Sequence, residues 1–570
     1  MAKLADSLRR KTSLLSQRTK SLPAKGLRAS ALLHLSVVAS LIALAPFASA
    51  QTPVPDLVLY NGKISTMAAA ADSTVQALAI QGGKVLAIGT TADIRKLAGR
   101  STRSIDLLGK RVLPGLIDGH LHGVRTAYHC WTQTVRLDQI IARATALDAY
   151  RSKADQIEDG RWIVTTGGWS LKQLDDARDF SFAELTSAAP NNPVWIAGAN
   201  VAGPRINAAA LPALGLKVGD AGVEVDAQGQ PTGRLVAPAT ERANQAILAQ
   251  FDTHGIDGEA KCLADFIDDA LSHGLTAWSD AGGNTNPWSG RGAITDGLHA
   301  QEAASWLYRT GRLKVRIALH DMSGYQGAAR ALQNMENSLG FIGDDRLRVL
   351  GPGEDTMAED PDFPAYARMA AVRRLSLETH VSDTNHNQIL AGFEAANQAY
   401  PIAGLNWRIA HPAGGTPTDE QLRRAKAVGA GYILTFTPMW RGGEAQRFKS
   451  TKQAGLRLCL GSDAMNVAPW QPFQNLWMAT TGNVLAGGAP GVAANERLSR
   501  FEALELLTSQ CAWSLGMEDK IGSLAPGKYA DLIILDKDYF DVPPEQIRTI
   551  LPQLTMVQGE IVYARAPFQR

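Results

Sequence analysis

RVLPGLIDGHLH, residues Arg111 to His122, is the stretch from which the fold of this chain can be read. Its apolar part, Val112 to Ile117, has the composition of a short strand and ends at two histidines one residue apart. Side chains on a strand alternate between faces, so His120 and His122 project the same way at the carboxyl end of the run. Imidazole is the commonest protein ligand for a divalent transition metal, and a shared face lets two rings meet one ion. Pro114, Gly115 and Gly119 suit a strand end that turns tightly. Alone, a His-x-His pair reads equally well as two satisfied surface or core histidines. It gains meaning only if further ligands stand at the ends of later strands.

Downstream, apolar strand-like runs alternate with longer helix-like stretches. The runs are Thr276–Asp280, Lys314–His320, Leu347–Glu354, Leu375–His380, Arg408–His411, Tyr432–Thr437 and Leu456–Asp463, which with the first make eight. Amphipathic stretches such as Pro364–Arg374 and Asp419–Val428 fit between them. Repeated βα units in this number predict an α/β fold, a parallel (β/α)8 TIM-like barrel, with functional groups at the carboxyl ends of its strands. The interval 124–275 is too long for one helix and predicts an inserted subdomain, with strand-like pieces RWIVTTGGW and NPVWIAGA of its own. Short β runs punctuated by glycine fill 55–113, and YADLIILD and LTMVQGEIVYA echo them near the other end. One small β-sandwich domain built from 51–113 and 511–570 is therefore expected around a barrel at 114–510.

The chain has 570 residues, 45% apolar and 20% charged, which is ample for a large core and more than one domain. A net charge of +2 and the absence of a basic, aromatic-rich cluster argue against a nucleic-acid partner. The first 50 residues differ from the rest. A Lys/Arg-rich front precedes the apolar run ALLHLSVVASLIALAP at 31–46, and Ala48-Ser49-Ala50 has the small-x-small pattern of a signal-peptidase site. The run is short for a membrane span of ~20 residues. A secretory signal cut after Ala50 is expected, with a periplasmic or secreted protein that meets the membrane only during export. Cys130, Cys262, Cys459 and Cys511 have no paired spacing. Export allows a bridge, but Cys459 lies in an apolar run and is expected to be a buried free thiol.

The strand ends supply His120, His122, Glu354, His380, His411 and Asp463. Four imidazoles and two carboxylates fit a divalent metal site of one or two ions, with zinc as the expected metal. The motifs extend beyond these residues: GGW at Gly167–Trp169, IAHP at Ile409–Pro412, LGSDA at Leu460–Ala464, ERLSRFEAL at Glu496–Leu504 and GSLAPGKYADLIILD at Gly522–Asp536. With LPGLIDGHLH they make the chain resemble, over about 55–565, the amidohydrolase superfamily, in particular amidohydrolase family 3, the YtcJ-like branch. The resemblance implies that His120 and His122 bind one metal with Asp463, that His380 and His411 bind a second, and that Asp463 is the catalytic base.

Two departures stand out. Many members bridge their metals with a carboxylated lysine on strand four, whereas GPGE puts Glu354 there. A plain carboxylate has two oxygens and can span two ions; Asp355 is the second choice. The family's Gly-Asp after the strand-five histidine is replaced by VSDTNHN, which leaves Asp383 and His386 as loop or supporting residues.

A metal-activated water at such a site points to hydrolysis of an amide-type, non-peptide carbon–nitrogen bond in a small molecule. An esterase, a metal-assisted isomerase or a non-catalytic periplasmic binding protein on the same scaffold are the alternatives. Trp169, carrying the GGW motif, is the foremost candidate for substrate binding; His129, Trp131, Trp440 and Trp470 read equally well as packing, and Arg441 as a surface residue or a carboxylate holder. A homo-oligomer is compatible with this composition.

Overall fold

The computed structural model describes residues 53–569 except 70–72, 130, 198–202, 253–254, 283–300, 322–327, 338–339, 341, 355–356, 382–383, 413–416, 437–446, 466–467, 486 and 488–490. The expected signal segment, Cys130, Asp355, Asp383, Trp440, Arg441 and the side chain of His129 lie outside the described residues. Val54–Arg570 is one compact unit. Among the described residues no helix is long and apolar enough to cross a membrane.

Eight strands carry the centre: β1 Leu116–Leu121, β2 Leu275–Asp280, β3 Arg316–Asp321, β4 Leu347–Pro352, β5 Glu378–His380, β6 Arg408–Ala410, β7 Gly431–Leu434 and β8 Leu458–Leu460. They form two parallel arcs, β1–β2–β3–β4 and β5–β6–β7–β8, with Ile342–Gly343 antiparallel on the outer edge of β4. Every residue of β1, β2 and β3 is buried, the signature of parallel strands covered on both faces. The arcs are separate ladders, crossed by single backbone bonds. Ser376 N donates to Leu350 O (3.1 Å), Asp463 N to His120 O (2.9 Å) and His122 N to Ala464 O (2.8 Å).

In both arcs the chain leaves the pleat where ligand-type residues begin. His411 follows β6 at φ +29°, Asp463 lies beyond β8 at φ +55°, and Glu354 follows β4 at φ +39°. Positive φ is foreign to a strand and cannot propagate its ladder.

The opening motif is two strands where one was expected over Val112–Ile117. Arg111–Pro114 pairs with Lys63–Ser65 and Leu532–Leu535, while β1 runs on through His120. The break is at Gly115, where a Cβ would come within 2.2 Å of Thr276 Oγ1 on β2. Only a residue without a side chain lets the chain pass so close and change sheets.

Helices pack outside the arcs. Asp419–Ala427 starts at Thr418, whose side chain and that of Gln421 form a capping box, and buries Leu422 and Ala425. Phe363–Val372 carries Pro364 in its first turn, where a missing N–H costs nothing. Between β1 and β2 the chain builds a five-stranded sheet, in the order Val223–Val225, Pro231–Leu235, Arg205–Ile206, Val194–Ile196, Ile163–Thr165. Strands from both ends of the chain share a six-stranded sheet: Glu560–Ala564, Pro552–Val557, Leu532–Leu535, Arg111–Pro114, Lys63–Ser65, Thr74–Val75. Leu57–Tyr60, Ala77–Gln81, Lys84–Gly89 and Arg103–Asp106 form a four-stranded one.

Ile117, Ala277, Ala318, Leu350, Ile433 and Cys459, from six of the eight strands, meet Cys511, Ala512, Trp513, Leu515, Met517 and Ile521 in one cluster. The segment 511–521 thus belongs with the central strands, ahead of the terminal sheet that resumes at Leu532. Cys459 is not a free thiol: it is bonded to Cys511, their Cα atoms 4.6 Å apart. Two buried side chains facing each other at that spacing meet the geometry a disulfide needs. Cys262 is disulfide-bonded as well.

Candidate metal centre

The ends of β1, β4, β5, β6 and β8 bring all six strand-end residues together. His120, His122, Glu354 and Asp463 form one group able to hold an ion, and Glu354, His380 and His411 a second. We call these the inner and outer groups. In the inner group His122 Nε2 lies 3.0 Å from Glu354 Oε2, and His120 Nε2 and His122 Nε2 each lie 3.5 Å from Asp463 Oδ1. In the outer group His380 Nδ1 and His411 Nε2 donate to Glu354 Oε1 at 3.1 and 2.9 Å. One carboxylate therefore faces both groups, a different oxygen to each.

The electrostatics follow from burial and company. Burial alone would lift Glu354 and Asp463, but the surrounding imidazoles outweigh it and hold both carboxyls below the usual carboxylate range. Burial pulls His120 down, yet Glu378, Asp463 and Glu354 together hold it well above its ordinary value. Burial brings His411 down. Among the described residues, the ion pairs of Glu354 are all with imidazoles. No lysine or arginine pairs with it there, so its buried charge is compensated by imidazoles or by a cation bound among them. His120 Nε2, fully buried, has no hydrogen-bond partner. An orphaned imidazole nitrogen beside two ionised carboxylates is the donor set of a divalent site, so the residues present fit a metal.

Three of the ligand-type residues, Glu354, His411 and Asp463, have positive φ. Such backbones cost of order 1–3 kcal/mol each and persist only where surrounding contacts dictate them, typically at functional sites.

Several supporting residues are invisible in the sequence. Glu378, on β5 two residues before His380, is buried and accepts from His120 Nδ1, which fixes the tautomer with Nε2 facing the site. Arg408, at the start of β6, donates through Nε to the other oxygen of Glu378, through Nη2 to Ser279 Oγ (2.6 Å) and through Nη1 to Ser514 O (2.8 Å). His320, next to last in β3, meets Arg408 and belongs to neither ligand group. Burial and the Arg408 charge push it down to about 3, so it is neutral. Asp118 accepts from His120 N and Ser462 N, tying β1 to the run after β8, and burial lifts it to about 6. His122 Nδ1 donates to Gly282 O at 2.8 Å.

Trp169, Trp131 and Trp470 are packed among other aromatic side chains. Trp169 has no exposed surface, donates through Nε1 to Ala197 O (2.8 Å) and lies against Phe180 in the core of the inserted segment. Its GGW turn is set by Gly168, at φ +85°, where a Cβ would collide with Asp138 and Arg136. Trp131 and Trp470 pack against each other and Phe266. His386 pairs with Tyr432 Oη at 2.6 Å, away from both groups.

The model of the amidohydrolase family matches residues 103–563. The N-substituted formamide deformylase of Arthrobacter pascens is 25% identical over 572 residues, covering 90% of this chain and 99% of its own. YtcJ of Bacillus subtilis is 24% identical over 547 residues, covering 89% of this chain and 99% of its own. The solved structure of an uncharacterized metal-dependent hydrolase from Pyrococcus furiosus matches with a TM-score of 0.59 at 22% identity, over 85% of this chain and all of that one, a likeness of fold.

Proposed function

The chain belongs to the amidohydrolase family and is a hydrolase of non-peptide carbon–nitrogen bonds; from that premise we propose that it cleaves small N-acyl amines, N-formyl amines first among them, at a site of one or two zinc ions. The single observation that carries this is Glu354, whose two oxygens face the inner and outer histidines separately. We read the two strand arcs as the halves of a (β/α)8 barrel with the ligands at its carboxyl end. The substrate class follows the Arthrobacter relative, whose name records deformylation of N-substituted formamides.

A divalent ion held here supplies Lewis acidity and brings the pKa of water from 15.7 to about 7. The chain's own residues do the rest. Asp463, kept ionised by His411, His120 and His122, takes the proton of the attacking water and hands it to the leaving nitrogen. Glu378 holds His120 with Nε2 free to bind. Glu354 takes the place of a carboxylated lysine, so added bicarbonate leaves activity unchanged. Residues 1–50 act as an export signal, and the mature protein starts near Gln51.

The test is metal analysis of purified protein beside a turnover screen of N-formyl amines, N-acyl amines, cyclic amides and esters. We expect one to two equivalents of zinc, amine release from N-formyl substrates, loss with a chelator and recovery with zinc. Full turnover by metal-free protein, or turnover of esters alone, overturns the proposal.

A further inference from the structure

Asp463 stands at φ +55°, a conformation uncommon for a residue other than glycine, and the contacts that hold it there come from two directions. From the β1 side, Asp463 N donates to His120 O and His122 N donates to Ala464 O. From the inserted segment, Arg136 Nη1 donates to Met465 O (3.2 Å), and Thr166 Oγ1 donates to the same carbonyl (3.2 Å). Arg136 also donates to Thr166 Oγ1. It is itself fixed by a two-point ion pair, Nε to Asp138 Oδ2 (2.9 Å) and Nη2 to Asp138 Oδ1 (2.7 Å). Asp138 is buried and accepts from Gln471 Nε2 (3.2 Å), while its backbone carbonyl accepts from Gln474 Nε2 (3.1 Å). Gly168 passes so close that a Cβ there would meet Asp138 Oδ1 at 2.5 Å and Ala468 O at 2.9 Å. The chain after β8 is thus held just beyond Asp463 and again at Gln471 by one guanidinium–carboxylate pair that belongs to a different part of the fold.

We infer that Arg136 is a positioning residue: the inserted segment uses it to hold Asp463 in its left-handed backbone and aim its carboxylate. This rests on Asp463 being the base proposed above. Arg136 acts through the Met465 carbonyl and touches no reacting atom. An arginine suits the task because its planar fork engages Asp138 at two points while a further N–H reaches Met465. A misplacement of about 1 Å at a reacting group can cost about 10²-fold in rate.

The experiment compares R136A, R136K and, as a control, R143A, whose guanidinium pairs with Asp176 inside the inserted segment. Each zinc-loaded protein is read in two ways: hydrogen exchange of the peptides carrying Asp463–Met465 and Trp470–Gln474, and kcat and KM on an N-formyl amine. R136A should exchange faster in both peptides and lose about 10²-fold in kcat with KM and metal content unchanged. R136K, which keeps one donor, should recover part of the loss, and R143A should keep the parental kcat. Parental exchange in R136A, or a kcat within a few-fold despite faster exchange, overturns the inference. If R136A does not fold, R136K is judged on the same quantities, against the same two outcomes. If the parent hydrolyses none of the substrates, the functional proposal fails and exchange alone decides whether Arg136 restrains the segment.

Discussion

The inner and outer groups contain the same kinds of atoms but are supported in different ways. In the inner group each imidazole keeps Nε2 toward the site and spends Nδ1 on a fixed acceptor, His120 on Glu378 and His122 on Gly282 O. Glu378 is in turn locked by Arg408. In the outer group the imidazole hydrogen bonds both go to Glu354, and the rings are otherwise placed edge-on, His411 against His120 (5.0 Å between centroids) and against His380 (4.4 Å). His380 is also the open member, its side chain 32% exposed where those of His120 and His122 are 0% and 3%. A ligand whose second nitrogen is tied down binds tightly and in one orientation, and removing that tie typically costs 10–100-fold in affinity. We expect the inner group to be set before any ion arrives and the outer group to take shape around its occupant. The inner group should therefore retain its ion and the outer group exchange it.

The sharpest way to break this contrast is at the base. Asp463→Asn keeps shape and one oxygen but removes the proton acceptor, so turnover should fall by about 10²–10⁴-fold while folding and most metal survive. Turnover within a few-fold of the parent, measured against metal content in the same preparation, would take Asp463 out of the mechanism. Next in size is a paired measurement. Glu378→Gln should weaken the tighter zinc equivalent by about 10–100-fold in a chelator competition, whereas His380→Ala should weaken the looser equivalent and spare the tighter one. Loss of the same equivalent in both variants would erase the distinction between the groups.

The smallest effect concerns acid, behind the outer group. His386 heads the helix His386–Ala399 that follows β5, and burial together with the charge of Arg424 brings it to about 4. Between pH 4 and its ordinary 6.5 the unfolded chain binds more protons there than the folded one. Stability is then complete above about pH 6.5 and falls as pH drops toward 4, by up to about 3 kcal/mol. His386→Gln should flatten that part of a Tm-against-pH curve. An unchanged slope would place the acid sensitivity elsewhere.

The clustering of the six candidate ligands was legible because chemistry and position coincide in them. His120 and His122 share a strand face, and Glu354, His380, His411 and Asp463 each close an apolar run. A histidine or carboxylate there has few other uses. Glu378 was not legible, since a glutamate inside a strand reads as a surface residue until the fold shows Arg408 and His120 on either side of it. His320 also closes an apolar run, yet it was not among the candidate ligands, and its ring is taken by Arg408. The eight runs carried the central strands but not the division at Gly115, which depends on Thr276, 161 residues further along the chain. Trp169 is packed in the core, beside a glycine, Gly168, whose surroundings leave no room for a side chain. The Cys459–Cys511 bond was hidden for a similar reason, because pairing depends on which buried side chains the fold sets face to face.

The positive φ at Glu354, His411 and Asp463 bears on how such a site survives mutation. At each of these positions glycine is the residue the backbone itself favours, since it alone adopts that conformation without steric cost. Asp463→Gly would relax the chain while leaving a hole the size of a carboxylate, into which dissolved formate or acetate could step as a replacement. Stability and activity therefore pull these three codons in opposite directions. A lineage selected for thermal tolerance alone would drift toward glycine there, and its members would outlast their parent in heat while losing the ability to turn over substrate.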